Sequence, residues 1–216
     1  MKILVVSATR FEAAPLKDAL SPSGMIEYVE FLETGPGMVA TTYVLTKHLQ
    51  SNSFDFVLNI GVAGAIGNQL TLGNVVAVEK DCFFELGAEA GLDFIPIDLL
   101  GLNSTQKVNA VGYDDSSLDP RIRRVEGITV NTVHGTILSE QLIRNRSEAL
   151  VETMEGAAFY FVCGQEKVRC LQLRSISNRV ELRDREKWDL KLAIDQLTKI
   201  AFELIQKLLH ENNEKR

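Results

Sequence analysis

The chain has 216 residues, a formal net charge of −6 at pH 7 and a hydrophobic fraction of 45%. This length suits one α/β domain, and the apolar content is enough for a sizeable core beneath an ordinary charged surface. The acidic balance argues against a nucleic-acid backbone or an anionic membrane as the main partner, but local arginines can still hold a small anionic ligand.

The first residues predict a buried strand. Ile3 to Val6 is a continuous apolar run that turns polar at Ser7, which is too short for a secretory leader. No apolar run in the chain approaches the length needed to cross a bilayer. The three cysteines lack metal-ligand spacing, and Cys82 and Cys170 lie in apolar runs. We therefore expect buried free thiols in a reducing cytoplasm, and no metal site.

Strand and helix patterns alternate along the chain. In chain order the patterns predict a strand at residues 3–6, a helix at 11–20, a strand at 26–32, a turn at 34–37, a helix at 38–49, a strand at 54–60, a turn at 61–67, a strand at 75–78, a long loop at 82–102, a polar segment at 114–124, a strand at 128–133, a helix at 155–165, a strand at 168–177, a terminal helix at 190–208 and a frayed tail at 211–216. This alternation predicts a single-domain, three-layer α/β sandwich over residues 1–216, with a mixed, mostly parallel central sheet.

Ligands of such sheets usually bind beyond the carboxyl ends of the strands. The loops in which we expect a site are residues 7–12, 61–67, 133–137, 154–156 and 177–188.

Two of these loops carry features with more than one interpretation. Glu12 lies in the first turn of a predicted helix, where the helix dipole alone favours a carboxylate. Gly61 and Gly64 let the backbone approach a ligand, although a tight turn at a strand end is the simpler interpretation. The segment lacks the Gly-Lys-Ser/Thr of a P-loop and the spacing of a dinucleotide fingerprint.

Two further segments place charge among apolar residues. Glu155 lies between Met154 and a Gly-Ala-Ala helix start, where burying an unpaired charge would be costly. Arg174 lies inside an apolar strand and therefore needs an acidic or anionic partner, and Asn178 stands at the end of that strand. Trp188 follows a charge-rich stretch, and anchoring the terminal helix is its simpler interpretation.

These segments together resemble the nucleoside phosphorylase and hydrolase superfamily, in particular the methylthioadenosine/S-adenosylhomocysteine nucleosidases and the futalosine hydrolases. The similarity covers nearly the whole chain and includes Glu12, Asn-Ile-Gly-Val-Ala-Gly at 59–64, Met-Glu-Gly-Ala-Ala at 154–158 and Arg-Ser-Ile-Ser-Asn at 174–178. Asn178 stands where the adenine-specific nucleosidases carry Asp, and the pattern from Asn178 to Trp188 resembles futalosine hydrolases. Val62 stands where nucleosidases often carry Ser.

The resemblance implies a nucleoside phosphorylase-like fold and a homo-oligomeric enzyme that needs no cofactor. The implied reaction is hydrolysis of futalosine to dehypoxanthine futalosine and hypoxanthine, in menaquinone biosynthesis, through an oxocarbenium-like ribose. In that scheme Glu12 orients and deprotonates the water, and Glu155 binds the ribose hydroxyls while Met154 packs on the sugar. Arg174 holds one of the carboxylates or the water in place.

The substrate-binding expectations concern the base and the far end of the substrate. The Asn178 amide reaches N7 or O6 of a 6-oxopurine, both of which an ionised Asp would repel. Guanidinium groups match carboxylates, so Arg179, Arg183, Arg185 or His134 are candidates for the distal carboxylate, and the choice stays open. The predicted substrate-binding set comprises Val62, Met154, Thr136, His134, Arg183 and Trp188.

Three other functions fit parts of the pattern. One is a methylthioadenosine/S-adenosylhomocysteine nucleosidase. Another is a phosphate-dependent purine nucleoside phosphorylase, for which Arg10 and the turn at 61–64 supply part of an anion site, although Glu12 beside it would repel phosphate. The third is a purine-binding protein without activity, since a fold alone does not establish catalysis.

Overall fold

The computed structural model of the protein describes residues 1–91, 93–102, 106–112 and 118–214. The helices in these ranges are α1 (Arg10–Leu20), α2 (Met38–Ser51), α3 (Ile137–Arg146), α4 (Gly156–Gln165) and α5 (Leu190–Glu214). The strands are β1 (Ile3–Ser7), β2 (Val29–Glu33), β3 (Phe56–Ala65), β4 (Val75–Cys82), β5 (Gly87–Ala90), β6 (Asp93–Pro96), β7 (Lys107–Asn109), β8 (Arg123–Thr129), β9 (Val151–Thr153) and β10 (Cys170–Arg179). None of the described helices is both long and apolar enough to span a bilayer.

The main sheet is mixed and mostly parallel. β2, β1 and β3 run side by side in parallel, and β3 continues in parallel onto β10. β10 then pairs with β4 antiparallel, β4 with β8 and β8 with β9 in parallel, and β9 returns to β3 antiparallel. The pairings therefore form a closed ring through β3, β10, β4, β8, β9 and back to β3. β7 pairs with the far part of β4.

Helices cover both faces of this sheet, because alternate residues of its strands are apolar on opposite sides. Ile3 and Val5 of β1 belong to a core cluster shared with α1 and α5. Their neighbours Leu4 and Val6 belong to a second cluster, shared with α2 and α4. The predicted three-layer α/β architecture with a mixed, mostly parallel sheet is confirmed.

The predicted turn at residues 61–67 is wrong. β3 continues through the glycines to Ala65, because β10 pairs with this whole stretch and β9 pairs with its last two residues. β10 pairs with it from residue 57 to residue 65, and β9 pairs with Gly64 and Ala65. The glycine-rich segment is therefore an extended strand at the middle of the sheet.

Other predicted boundaries also need correction. The predicted strand at 128–133 is β8, which lies earlier in the chain because its polar first half pairs with β4. The predicted loop at 82–102 contains the β5–β6 hairpin. β2 begins at Val29, after a 3₁₀ turn at Met25–Tyr28, and the helix α5 continues through Glu214 instead of fraying at 211. The remainder of the predicted tail and part of the predicted polar segment at 114–124 lie outside the described residues.

Candidate active site

Glu12 lies at the start of α1, directly after β1, and both of its carboxylate oxygens have partners. Oε2 accepts hydrogen bonds from the backbone N–H of Thr9 (3.0 Å) and from its hydroxyl (2.9 Å). Oε1 accepts from the backbone N–H of Val62 on β3 (3.2 Å). Glu12 is therefore a helix-capping residue, as its position suggested, and is also fixed against the middle strand.

Arg174 on β10 lies across the backbone of Gly61, its register partner on β3. A Cβ at Gly61 would lie 2.8 Å from Oε1 of Glu12 and still closer to Nη1 of Arg174. Real Cβ atoms do not approach other atoms so closely. Glycine is therefore required at position 61 so that both Arg174 and Glu12 can pack against its backbone.

The Arg174 side chain is only 1% exposed and is held by neutral acceptors. Its Nε donates to Oε1 of Gln172 (3.1 Å), and its Nη2 donates to Oδ1 of Asn59. A buried charge is tolerated only where hydrogen bonds and opposite charges compensate its desolvation. Arg174 has both, because the carboxylates of Glu155 and Asp81 lie within its electrostatic range.

Glu155 stands immediately before α4 and is 8% exposed. Its Oε1 accepts a hydrogen bond from the backbone N–H of Gly37 (2.9 Å), which follows β2. Gly37 has a φ of 92°, a left-handed conformation that favours glycine and aims this N–H at the carboxylate. Two loops far apart in sequence are thus connected through one carboxylate.

The pKa of Glu155 reports on its neighbours. Burial raises the pKa of this carboxyl above its ordinary value, and the Arg174 charge and the Gly37 N–H oppose that rise. The negative charge of Glu12 raises the same pKa further, so the two glutamates lie within electrostatic range of each other. The structure therefore brings Glu12 and Glu155, which follow the ends of β1 and β9, together with Arg174 in the middle of β10.

Asn178 lies farther along β10, beside Gly64 of β3. Its Nδ2 donates to the carbonyl oxygen of Arg179 (3.1 Å), and its Oδ1 accepts from the hydroxyl of Ser177 (2.9 Å). Because a backbone carbonyl only accepts, the group facing it must be the NH₂, which fixes the orientation of the amide. From Gly61 to Gly64 the strand advances about 10 Å, so Asn178 is separated from the carboxylates by roughly three residues of strand.

The predicted substrate-binding residues fall into two groups. Val62 and Met154 are half-buried: Met154 directly precedes Glu155 in the chain, and the backbone N–H of Val62 donates to Glu12. The loop that carries His134 and Thr136 meets the loop that carries Arg183, whose backbone N–H donates to the carbonyl oxygen of Gly135 (3.3 Å).

Within the second group each side chain has a partner. The Arg183 guanidinium lies 5.0 Å from the centre of the Trp188 ring, and the Thr136 hydroxyl caps α3 by accepting from Ser139 N–H (3.1 Å). His134 pairs through Nδ1 with buried Glu152 on β9. Burial raises the pKa of Glu152, and the bonds from His134 oppose that rise.

Sequence reasoning missed several polar residues that support this site. Asp81, Thr129 and Gln172 are buried near Arg174, and the side chains of Thr129 and Gln172 each donate to Asp81. Burial raises the pKa of Asp81 to about 6. The signal available in the sequence was a polar residue inside an apolar strand, which Gln172 and Asp81 share with Arg174. Among the residues that the structure describes, no cluster of three His, Cys, Asp or Glu side chains is placed to hold a metal ion.

Comparison with known families shows to which superfamily the chain belongs. The sequence model of the Phosphorylase superfamily matches residues 23–210. The chain belongs to the phosphorylase superfamily. The matched range contains Glu155, Arg174 and Asn178 but begins after Glu12. The inclusion of Glu12 in the candidate site therefore depends only on the contacts described above.

Individual relatives are similar over almost their full length. Futalosine hydrolase of Thermus thermophilus is 29% identical over 216 residues, covering 94% of each chain. Futalosine hydrolase of Acidothermus cellulolyticus is 29% identical over 218 residues, covering 91% of this chain and 87% of the relative.

Solved structures share the fold. The 5′-methylthioadenosine/S-adenosylhomocysteine nucleosidase from Helicobacter pylori, in complex with butyl-thio-DADMe-Immucillin-A, has a TM-score of 0.75 at 19% identity. The native futalosine hydrolase of Helicobacter pylori strain 26695 has a TM-score of 0.74, also at 19% identity. Each comparison covers 99% of this chain and 98% of the other.

We predict that Gly61→Ala destabilises the protein by about 1–3 kcal/mol, because the added methyl overpacks the space that Arg174 and Glu12 occupy. Urea unfolding measures the change. Gly164→Ala in α4 is the matched control, since a Cβ there meets nothing within 4 Å and alanine favours a helix. Equal midpoints for the two variants would contradict the tight packing inferred at Gly61.

Proposed function

We propose that this chain hydrolyses the N-glycosidic bond of a purine nucleoside, with futalosine as its substrate. The observation that carries the proposal is that two buried carboxylates, Glu12 after β1 and Glu155 after β9, lie near one buried arginine in the middle of β10. The full-length similarity to futalosine hydrolases supports the choice of reaction and substrate.

Glu12 is suited to the role of general base. Cleavage of the C1′–N9 bond leaves an oxocarbenium-like ribose that a water molecule must attack. The Thr9 and Val62 bonds fix both carboxylate oxygens, so the lone pairs that remain have defined directions toward that water. A positioned base of this kind contributes roughly 10²–10⁴-fold to the rate.

Glu155 is suited to stabilising the positive charge that develops on the ribose. Its carboxylate is buried, where water screens little, and the Gly37 N–H holds it in place. Such a preorganised charge acts more strongly on the transition state than on the uncharged ribose of the ground state. Arg174 opposes the effect of burial on the Glu155 pKa and so favours the ionised form that this role needs.

The same charges disfavour a phosphorylase. Phosphate is an anion, and two carboxylates within range of one another would repel it from the position that a neutral water can occupy. Water is therefore the nucleophile in our proposal.

We assign Asn178 to recognition of the purine base of the substrate. The Arg179 carbonyl takes one of the two amide hydrogens, and the second remains available to a purine acceptor at N7 or O6. This fixed donor favours a 6-oxopurine such as hypoxanthine as the leaving group.

Arg183 is assigned to the distal carboxylate of the substrate. The His134 ring already pairs with the Glu152 carboxylate, which makes it a poorer anion partner. Arg183 is exposed, and its contact with the Trp188 ring orients the guanidinium without using its hydrogen-bond donors.

The proposal is tested by incubating the protein with futalosine, inosine, methylthioadenosine and S-adenosylhomocysteine, with and without phosphate, and separating the free bases. We expect hypoxanthine from futalosine without any need for phosphate. Preferential release of adenine would overturn the substrate assignment, and dependence of turnover on phosphate would overturn hydrolysis.

The carboxylate roles predict that Glu12→Gln and Glu155→Gln each lower kcat by roughly 10²–10⁴-fold, because they remove the base or the stabilising charge. Thermal unfolding checks that both variants stay folded. Glu126→Gln is the matched control, since Glu126 pairs with Lys80 on the surface, and we expect it to leave the rate unchanged. A fully active Glu12→Gln enzyme would show that the base is misassigned.

The amide role predicts that Asn178→Asp shifts base preference toward 6-aminopurines, because the carboxyl places an oxygen where the NH₂ donor stood. The ratio of kcat/KM for methylthioadenosine to that for futalosine measures the shift, and we expect it to rise. An unchanged ratio would mean that Asn178 does not contact the base.

A further inference from the structure

Asp81 at the end of β4 is a buried carboxylate that the proposed chemistry does not use. It is 2% exposed and accepts three hydrogen bonds. Oδ1 accepts from the Thr129 hydroxyl (2.8 Å) and from the backbone N–H of the next residue, Cys82 (2.8 Å). Oδ2 accepts from Nε2 of Gln172 (2.9 Å). Such complete satisfaction of a buried acid indicates that its orientation is fixed.

One arm of this network leads to Arg174. Gln172 donates to Asp81 through Nε2, so its Oε1 must point the other way, where it accepts from Nε of Arg174 (3.1 Å). A carboxylate only accepts, whereas an amide donates at one end and accepts at the other. Because Asp81 offers only acceptors, Gln172 turns its NH₂ toward Asp81 and its oxygen toward the arginine.

The other arm leads to Glu155. The Thr129 hydroxyl donates to Asp81, so its oxygen is free to accept from the backbone N–H of Ala157 (2.7 Å) in the first turn of α4. Glu155 stands at the residue before that helix. A Cβ at Gly156 would lie 2.6 Å from Oε1 of Gln172 and still closer to Oδ2 of Asp81, so the helix start rests directly on the network.

We propose that Asp81 is a positioning residue that holds Arg174 and Glu155 in one fixed arrangement, through Gln172 and through Thr129. The inference rests on the proposed function for its kinetic consequences, but its geometric content stands on these contacts alone. Asp81 also supplies negative charge near Arg174, whose own direct hydrogen-bond partners, Gln172 and Asn59, are neutral.

Asp81→Asn isolates this role because it keeps the shape of the side chain. The new NH₂ must face either Nε2 of Gln172 or the Thr129–Cys82 donors, so at least one arm loses its hydrogen bond. If Gln172 turns over to accept, its NH₂ then faces Nε of Arg174 instead. We expect kcat on futalosine to fall by about 10²-fold, as for a misplacement of about 1 Å, while KM changes little.

The double variant Asp81→Asn/Gln172→Glu supplies the rescue. Glutamate at 172 accepts from Nε of Arg174 with one oxygen and from the NH₂ of the new amide at position 81 with the other, while the oxygen of that amide accepts from Thr129 and Cys82. Every donor regains an acceptor, and the negative charge moves beside Arg174. We expect the double variant to recover most of the lost kcat.

Tyr160→Phe is the control for general loss of core stability. The Tyr160 hydroxyl is also buried, donates to the Val78 carbonyl and accepts from the Gln172 N–H (3.0 Å). Both partners are backbone groups, so the hydroxyl takes no part in the side-chain bonds of the two arms. We expect it to lower the melting temperature without the fall in kcat.

Kinetics and crystal structures of the variants decide the question together. Wild-type kcat in Asp81→Asn, or a loss equal to that of Tyr160→Phe, or no rescue by the double variant, would overturn the positioning role. If the wild-type protein cleaves no nucleoside, the proposed function fails, and the positioning role of Asp81 is then tested by the crystal structures alone. Arg174 and Glu155 must then move in Asp81→Asn and return in the double variant, and unmoved side chains overturn it.

Discussion

The burial of one guanidinium group constrains much of this structure. Arg174 lies inside the sheet with 1% of its surface exposed, so its charge must be met by acceptors supplied from the surrounding strands. Asn59 and Gln172 meet it directly, and Gly61 gives it space. The negative groups Glu155 and Asp81 lie within its electrostatic range. The polar site is therefore a consequence of placing this arginine on a central strand.

Glu12 shows how one residue can satisfy two constraints. Sequence reasoning treated helix capping and participation in a site as competing interpretations. The structure shows that Oε2 caps the helix through Thr9 while Oε1 bonds to Val62 on the next strand. Capping therefore does not argue against a chemical role, since it supplies the rigidity that a chemical role requires.

The sequence predicted the architecture because it depends on local patterns, and the same patterns marked two residues of the candidate site, whereas Glu12 was selected only through the family resemblance. Apolar runs and helical periodicity locate the strands and the long helices, and charges inside apolar runs mark Glu155 and Arg174. The extension of β3 through its glycines was missed because its pairing partner β10 and most of the side chains over Gly61 and Gly64 lie more than a hundred residues later in the chain. β9 has only three residues, too few for a periodic signal. The side-chain partners of Asp81 lie 48 and 91 residues away, a separation that no local pattern reveals.

The loops that carry the two carboxylate contacts are joined by main chain. Beyond the β1–β2 ladder, Thr34 N–H donates to Ser7 C=O (3.0 Å) and Gly35 N–H donates to Ala8 C=O (3.0 Å). Backbone bonds of this kind do not depend on side-chain identity. Substitutions elsewhere in these loops can therefore change the surface around Glu12 and Glu155 without removing these backbone bonds. A scaffold of this kind can acquire a new substrate over evolutionary time while it keeps its reaction.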